Sequence, residues 1–402
     1  MQAIRPFDIV HLSSAHPWTD NRVHRREAAS AASAGYRTAL VAVAEPSDRI
    51  DDDWERPEPD TGVYVLRIRR RRRWARMFRS SLEAVRHALS SRARVVHLHD
   101  PELVWAIPVL RGFGRRVVYD AHEDLPDQVR GKPYLARVVR PVAVGAAHVV
   151  LALARRADAA VAATPAIAAR LRHHRTVVVR NFPRAVDRRS VVPPSSRPPR
   201  AVYIGALSAD RGVHVLARVA AASDLPDGWV ITTAGRADAE AELVLTASTS
   251  TSSAHDGHDG SLPDRGIEHR GVLHPVDAMD LLHTARIGLL PLLPTPAFAK
   301  SIPTKLFEYM AAGLAVVATD IPEWRLILRG VDCVTWVPAG DAAAIVAALR
   351  RYADDPALLA RHSEAALQSA RNEFRWEHEE SHLLALYERI LGTRPPSFDA
   401  RR

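Results

Sequence analysis

Residues 300–324, Lys-Ser-Ile-Pro-Thr-Lys-Leu-Phe-Glu-Tyr-Met-Ala-Ala-Gly-Leu-Ala-Val-Val-Ala-Thr-Asp-Ile-Pro-Glu-Trp, constrain the fold more than any other stretch. Pro303 suits a first helical turn, where a missing N–H costs nothing. Lys305 to Ala312 are mostly good helix formers, and Gly313 is the expected stop. Leu314 to Ala318 is then an unbroken apolar run, the pattern of a parallel strand covered on both faces. A helix feeding directly into such a strand is half of a βαβ unit, and it commits the chain to a parallel sheet with right-handed crossovers.

The same alternation recurs along the chain. Strands are expected at Ile4–Leu12, Thr38–Val43, Val63–Ile68, Arg94–His99, Arg116–Tyr119, Ala157–Ala162 and Thr176–Arg180, with helices at Asn21–Ala34, Ser80–Ser90, Leu135–Arg155 and Pro165–Arg172. Residues 184–200 are rich in Pro, Ser and Arg without apolar period and read as a linker. The pattern then restarts, with strands at Ala201–Ile204, Trp229–Ala234, Ile267–Gly271, Ile287–Leu290 and Val334–Val337. Helices are expected at Val213–Ala222, Val276–Thr284, Ala342–Ala353, Pro356–Gln368 and Phe374–Leu391, and Thr246–Asp264 reads as a mobile polar insertion. The domains therefore run 1–183, then 201–372 after the linker 184–200, with a closing helix 373–391 and a tail 392–402.

Length agrees with two domains: 402 residues exceed one ordinary core, and 47% hydrophobic content supplies two. The single cysteine, Cys333, leaves no internal disulfide and fits a reducing compartment. The start, Met-Gln-Ala-Ile-Arg-Pro-Phe, carries no signal-peptide core, and no run reaches about 18 apolar residues. A cytoplasmic protein is expected, peripheral at most at the inner face of the plasma membrane. Net charge is +9, from 55 basic and 46 acidic residues, which suits any anionic partner. Arginines 67–79 interleaved with Trp74, Met77 and Phe78 could dock on an anionic membrane or form a solvated helix face. No nucleic-acid motif accompanies them, so nucleic acid is not expected as a partner.

Three lysines occur in the whole chain, and two of them, Lys300 and Lys305, flank the start of the helix described above. A helix N-terminus is already partly positive, so Lys305 there favours either an anion, such as a phosphate, or a solvated cap. Glu308, one turn on, could accept from ribose hydroxyls. Tyr203-Ile-Gly-Ala-Leu-Ser-Ala-Asp-Arg-Gly-Val is a strand, a glycine turn and a helix start, in which Gly205 admits a ligand and Arg211 can reach a phosphate. In the first half, polar clusters lie at three strand ends: Ser13-Ser14-Ala15-His16-Pro17, His97-Leu-His-Asp-Pro-Glu-Leu, and Asp120-Ala-His-Glu-Asp. Ligands of open parallel sheets bind at such ends. His255, His258, Asp256 and Asp259 lie in the insertion without ligands at defined spacing, so no metal site is expected there.

Lys305-Leu-Phe-Glu-Tyr-Met-Ala-Ala-Gly313, the apolar strand and Thr319-Asp-Ile-Pro-Glu-Trp324 together resemble the donor-site signature of glycosyltransferase family 4, in its Pro-Thr-Lys-Leu-Phe-Glu-Tyr-Met branch. The resemblance extends over almost the whole chain, and is weakest at 45–80, 240–265 and 328–340. It implies the GT-B fold, two Rossmann-like parallel-sheet domains facing a central cleft, with the C-terminal helix crossing back to the first domain. It implies a retaining transfer of a hexose-type sugar from a nucleotide-diphosphate sugar to a glycan, glycolipid or other hydroxyl acceptor, in bacterial surface polysaccharide biosynthesis. Donor contacts fall on Gly205, Arg211, Lys300, Pro303, Thr304, Lys305 and Glu308. His122 matches a histidine that faces the donor sugar from the acceptor lobe, and acceptor-side candidates are His16, Asp20, Arg22 and Asp100. No cofactor or divalent metal is implied beyond the nucleotide-sugar co-substrate.

Two features depart from the pattern. Members often carry an arginine directly after the first glycine and a lysine further on, where this chain has Ala206 and Arg211. Many also carry a second glutamate eight positions before the ribose-binding one, where this chain has Lys300. These departures keep open a non-catalytic GT-B subunit that binds a partner transferase or polysaccharide. A non-hydrolysing sugar-nucleotide epimerase shares the two-lobed architecture, but the Lys-Leu-Phe-Glu-Tyr-Met match argues against it.

Overall fold

A computed structural model describes residues 6–51, 53–54, 56–130, 139–185, 191–249, 266–295, 298–299 and 301–392. The chain divides into two compact units, residues 1–181 with 376–402, and residues 182–375.

The first unit is built on a seven-stranded parallel sheet. Its strands are β1 (Ile9–Pro17), β2 (Thr38–Val43), β3 (Tyr64–Ile68), β4 (Val95–Leu98), β5 (Arg116–Ala121), β6 (Ala159–Ala162) and β7 (Thr176–Val178), in the order β3-β2-β1-β4-β5-β6-β7. Residues of β1, β2 and β4 are buried throughout or nearly so, which is why they read as apolar runs rather than alternations. The order reverses between β1 and β4, a switch point of the kind beyond whose carboxyl ends open sheets form a ligand crevice. The C-terminal helix Trp376–Leu391 packs on this sheet. Trp376 Nε1 donates to Ser30 Oγ at 2.9 Å, and Glu379 accepts from the Arg180 backbone N–H at 2.7 Å and its guanidinium at 3.1 Å.

The second unit repeats the plan with six parallel strands: β8 (Arg200–Ile204), β9 (Val230–Ala234), β10 (Ile267–His269), β11 (Ile287–Leu290), β12 (Ala315–Thr319) and β13 (Val334–Val337). Their order is β10-β9-β8-β11-β12-β13, with the switch point between β8 and β11. The opening stretch forms the expected pair, the helix Thr304–Ala311 followed by β12. Tyr309 lies flat against Gly288 of β11, where any Cβ would come within 2.3 Å of its ring, and its hydroxyl accepts from Ile204 N–H at 3.0 Å.

Several local expectations change. Asn21–Ala34 is a π-helical turn, Val23–Ala28, running into the short helix Ala29–Ser33. The helix expected at Leu135–Arg155 covers Arg140–Ala154, and residues 131–138 lie outside the described set. The insertion's first residues close the helix Ala239–Thr249, and 250–265 also lie outside it. Pro303 precedes the first helical turn instead of occupying it. Within the linker, Arg197 is buried and donates to the carbonyls of Val192 (2.8 Å), Ala285 (2.8 Å) and Ala312 (3.0 Å), so this part is integral to the second core. Buried carbonyls need donors, and a guanidinium supplies several at once.

Candidate functional site

In the first unit the polar clusters of β1, β4 and β5 meet at the switch point. Asp100, just past β4, is buried and organises the irregular carboxyl end of β1. It accepts from Ser14 N–H at 2.6 Å, Ser13 Oγ at 2.9 Å and Ala15 N–H at 3.2 Å, and it pairs with His16 Nδ1 at 3.0 Å. Burial works against the charge on Asp100, but His16, Ser13 and Ser14 outweigh it and hold the carboxyl at about 2. Burial likewise opposes charge on His16, yet the hydrogen bond and charge of Asp100 hold that imidazole at about 9. His16 is thus an imidazolium at neutral pH, its ring 5.4 Å from that of His122.

His122 follows β5 and remains partly accessible, with 18% of its side chain exposed. Its Nε2 lies 2.8 Å from Asp120 Oδ2. Asp120 is fully buried and is bound by Arg22 through Nε at 3.2 Å and Nη2 at 3.1 Å. Arg22 also pairs with Glu27 at 2.9 Å and donates to Val179 C=O at 2.9 Å. Burial disfavours the Asp120 charge, but Arg22 and His122 overcome it and keep its pKa low; Glu27 is pushed upward by burial and by Asp120.

The acceptor-side expectations divide accordingly. His16 stands at the crevice. Arg22 does not: it is 6% exposed, with its guanidinium engaged internally, and it clamps Asp120 instead of offering itself to a ligand. Asp100 reaches the crevice only through His16. Asp20 Oδ1 accepts from Arg22 N–H and Val23 N–H, both at 2.8 Å, and so caps the π-helical turn. Sequence reasoning placed His99 and Asp120 in the strand-end clusters without giving either a role, and passed over His11 and Glu27. By residue type, His11, Glu27, His97 and His99, or His99, Asp120 and His122, could each hold a metal, with one ligand atom per residue within 4.8 Å of the others. Arg22 already supplies a cation to both carboxylates concerned.

In the second unit, Gly205 follows β8 and Gly235 follows β9. The backbones touch so closely that a Cβ on Gly235 would sit 1.9 Å from Gly205 O, and both glycines have positive φ (140° and 152°). A Cβ on Gly205 would lie 3.7 Å from Lys305 Cε, so the glycine turn and the start of the helix Thr304–Ala311 are neighbours. Thr304 opens that helix, and Pro303 caps it with an extended backbone. Lys305 Nζ donates to Glu308 Oε2 at 2.8 Å, which gives the lysine an internal counter-charge. The Arg211 guanidinium lies 5.5 Å from the Phe298 ring centroid. Trp324 is fully buried and donates from Nε1 to Ser301 C=O at 3.0 Å, fixing the chain before Pro303. Lys300 lies outside the described residues.

Comparison with solved structures identifies the architecture. Sucrose-phosphate synthase from Thermosynechococcus elongatus superposes with a TM-score of 0.70 over 96% of this chain and 99% of that one, at 17% identity. HepE from Anabaena, in complex with UDP and glucose, gives 0.63 over 93% and 97%, at 14% identity. The fold is GT-B, as the two sheets and the returning helix imply. More particularly, residues 198–355, within the second unit, match the family described as Glycosyl transferases group 1. The lipopolysaccharide core mannosyltransferase LpcC of Rhizobium leguminosarum bv. viciae is 36% identical over 85 residues, 21% of this chain and 24% of that protein. The chain thus spans about a quarter of the length of the curated relatives it matches.

Proposed function

We propose that the protein is a retaining glycosyltransferase of family 4, transferring a hexose-type sugar from a nucleotide-diphosphate donor to a glycan or glycolipid hydroxyl. The observation carrying this reading is Lys305 and Glu308 on one helical turn beside the Gly205 turn, at the switch end of a sheet whose sequence matches group 1 glycosyl transferases. Free N–H groups of the helix start, with Lys305 and Arg211, receive the diphosphate, and Glu308 receives the ribose. As the sugar–phosphate bond breaks, charge grows on the departing diphosphate. Positive groups fixed in advance stabilise that charge by several kcal/mol, so the chemistry calls for no divalent metal. His122 is the catalytic residue that the first unit offers, and His16 is an acceptor-side residue of the same unit. The relative named for lipopolysaccharide core synthesis supports a surface-glycan acceptor, reached from the cytoplasmic face of the membrane.

The test is a thermal shift against UDP, GDP, ADP and dTDP and their sugars. A nucleotide at 100 times its dissociation constant adds about 2.7 kcal/mol of stability. One nucleotide should raise Tm by several degrees in the native protein and not in Glu308→Ala. Silence from every nucleotide would overturn the donor site and leave a non-catalytic GT-B subunit.

A further inference from the structure

We infer that Asp120, clamped by Arg22, is the positioning residue that fixes the tautomer of His122, turning Nε2–H inward and leaving Nδ1 as the atom offered to substrate. This rests on the catalytic role of His122 proposed above. The carboxylate sets the direction of a whole chain of hydrogen bonds. At 2.8 Å from Asp120 Oδ2, His122 Nε2 must carry its hydrogen, because a lone pair there would oppose the carboxylate lone pairs. The same holds for His99 Nδ1 at 3.3 Å from that oxygen.

Once His99 donates from Nδ1, its Nε2 can only accept, and it does so from His11 Nδ1 at 2.9 Å. His11 Nε2 then accepts from the Tyr387 hydroxyl at 3.4 Å, and that oxygen accepts from His97 Nδ1 at 2.6 Å. One lone pair is left over at the end of the chain, on His97 Nε2. That atom is buried and without a hydrogen-bond partner, as this assignment requires. His99 Nδ1 and His122 Nε2 lie 3.3 Å apart, and in this assignment both donate to Asp120 Oδ2 instead of to each other. The remaining bonds are satisfied by neutral imidazoles, in keeping with the burial that lowers the pKa of His11, His97 and His99. Run in reverse, the chain would set a ring lone pair of His99 against Asp120. His122 Nδ1 makes no hydrogen bond within the described residues, so it is the ring nitrogen left to accept from a sugar hydroxyl.

Two experiments decide it. In the first, long-range proton–nitrogen NMR on protein labelled at histidine is recorded for the native chain and for His122→Gln, whose missing signal assigns His122. The Nε2–H pattern is expected, and an Nδ1–H pattern overturns the inference without reference to activity or to any variant at Asp120. The second uses Asp120→Asn, in which the amide oxygen can still accept from Arg22 while its N–H faces His122 and inverts the tautomer. Release of nucleoside diphosphate from the sugar nucleotide selected by thermal shift should fall about 10²- to 10⁴-fold in kcat. KM for the donor should stay within about twofold, and the substitution should cost nothing further in a His122→Ala background. Losses that multiply in the double variant would mean that Asp120 acts by some route other than His122. Full turnover in His122→Ala would instead defeat the catalytic reading of His122, with the spectrum still deciding the tautomer.

Discussion

His16 and the buried histidines His11, His97 and His99 belong to one cluster and titrate in opposite directions. The folded pKa of His16 is raised to about 9, so its contribution is complete below the unfolded value near 6.5 and disappears as pH rises through 9. For His11, His97 and His99 the folded values are lowered, chiefly by burial. Below about 6.5 the unfolded chain binds protons that these buried rings refuse, and stability falls with pH by up to about 1.4 kcal/mol per unit for each ring. Unfolding free energy should therefore peak near pH 6.5 and decline on both sides in denaturant titrations. His16→Gln should flatten the alkaline side, and should also weaken the Asp100 contribution, which is lost below about pH 4. An unchanged alkaline slope in that variant would contradict the His16–Asp100 pairing.

The Gly205 turn depends on backbone contact between two strand ends. Gly235→Ala would push a methyl into Gly205 O, at a backbone angle that side chains rarely adopt, and should cost roughly 3 kcal/mol of stability in the second unit. It should also abolish the nucleotide-dependent rise in Tm. A variant with native stability and native nucleotide response would show that the turn can open without consequence. The helix Thr304–Ala311 and strand β12 were legible because propensity, a glycine stop and an apolar run all agree there. The helices Ala106–Gly112, Leu125–Arg130 and Pro322–Ile327 were not read, since each is at most two turns long and lacks a full apolar period. The candidate donor residues near 205 and 305 were proposed from local pattern, because a glycine turn and a lysine at a helix start are local features. The Lys305–Glu308 pair was available from their spacing of three.

At the scale of the molecule, two of the most exposed aromatics lie on one segment. Trp74 is 75% exposed and Phe78 70%, on a helical run flanked by exposed Arg69, Arg70, Arg72 and Arg79. Arg67 and Arg71 are neutralised by Asp51, Glu58 and Glu83, so only part of the run presents charge. No helix among the described residues is long and apolar enough to cross a membrane. We propose that this segment seats the protein on anionic lipid. Sedimentation with vesicles containing anionic phospholipid should carry the native chain down at low salt, and replacing both Trp74 and Phe78 by Ala should weaken this at least about tenfold. Native protein left in the supernatant at low salt would sink the proposal.

Strand periodicity and turn residues were enough to establish two parallel-sheet domains, their glycine turns and the helix Thr304–Ala311, because each of these is encoded within a dozen neighbouring residues. Alternation even places His97 with His99, and Asp120 with His122, on common strand faces. What no local pattern could supply is the order β1-β4-β5, which sets His11 opposite His97 and brings Asp120 within reach of both chains of histidines. Nor could it supply the return of Tyr387 to that point, 290 positions beyond His97 in sequence. Arg22 read as a ligand-binding cation for the same reason: its partner lies 98 residues away, and a charge shows itself as internal only when the fold has removed it from water.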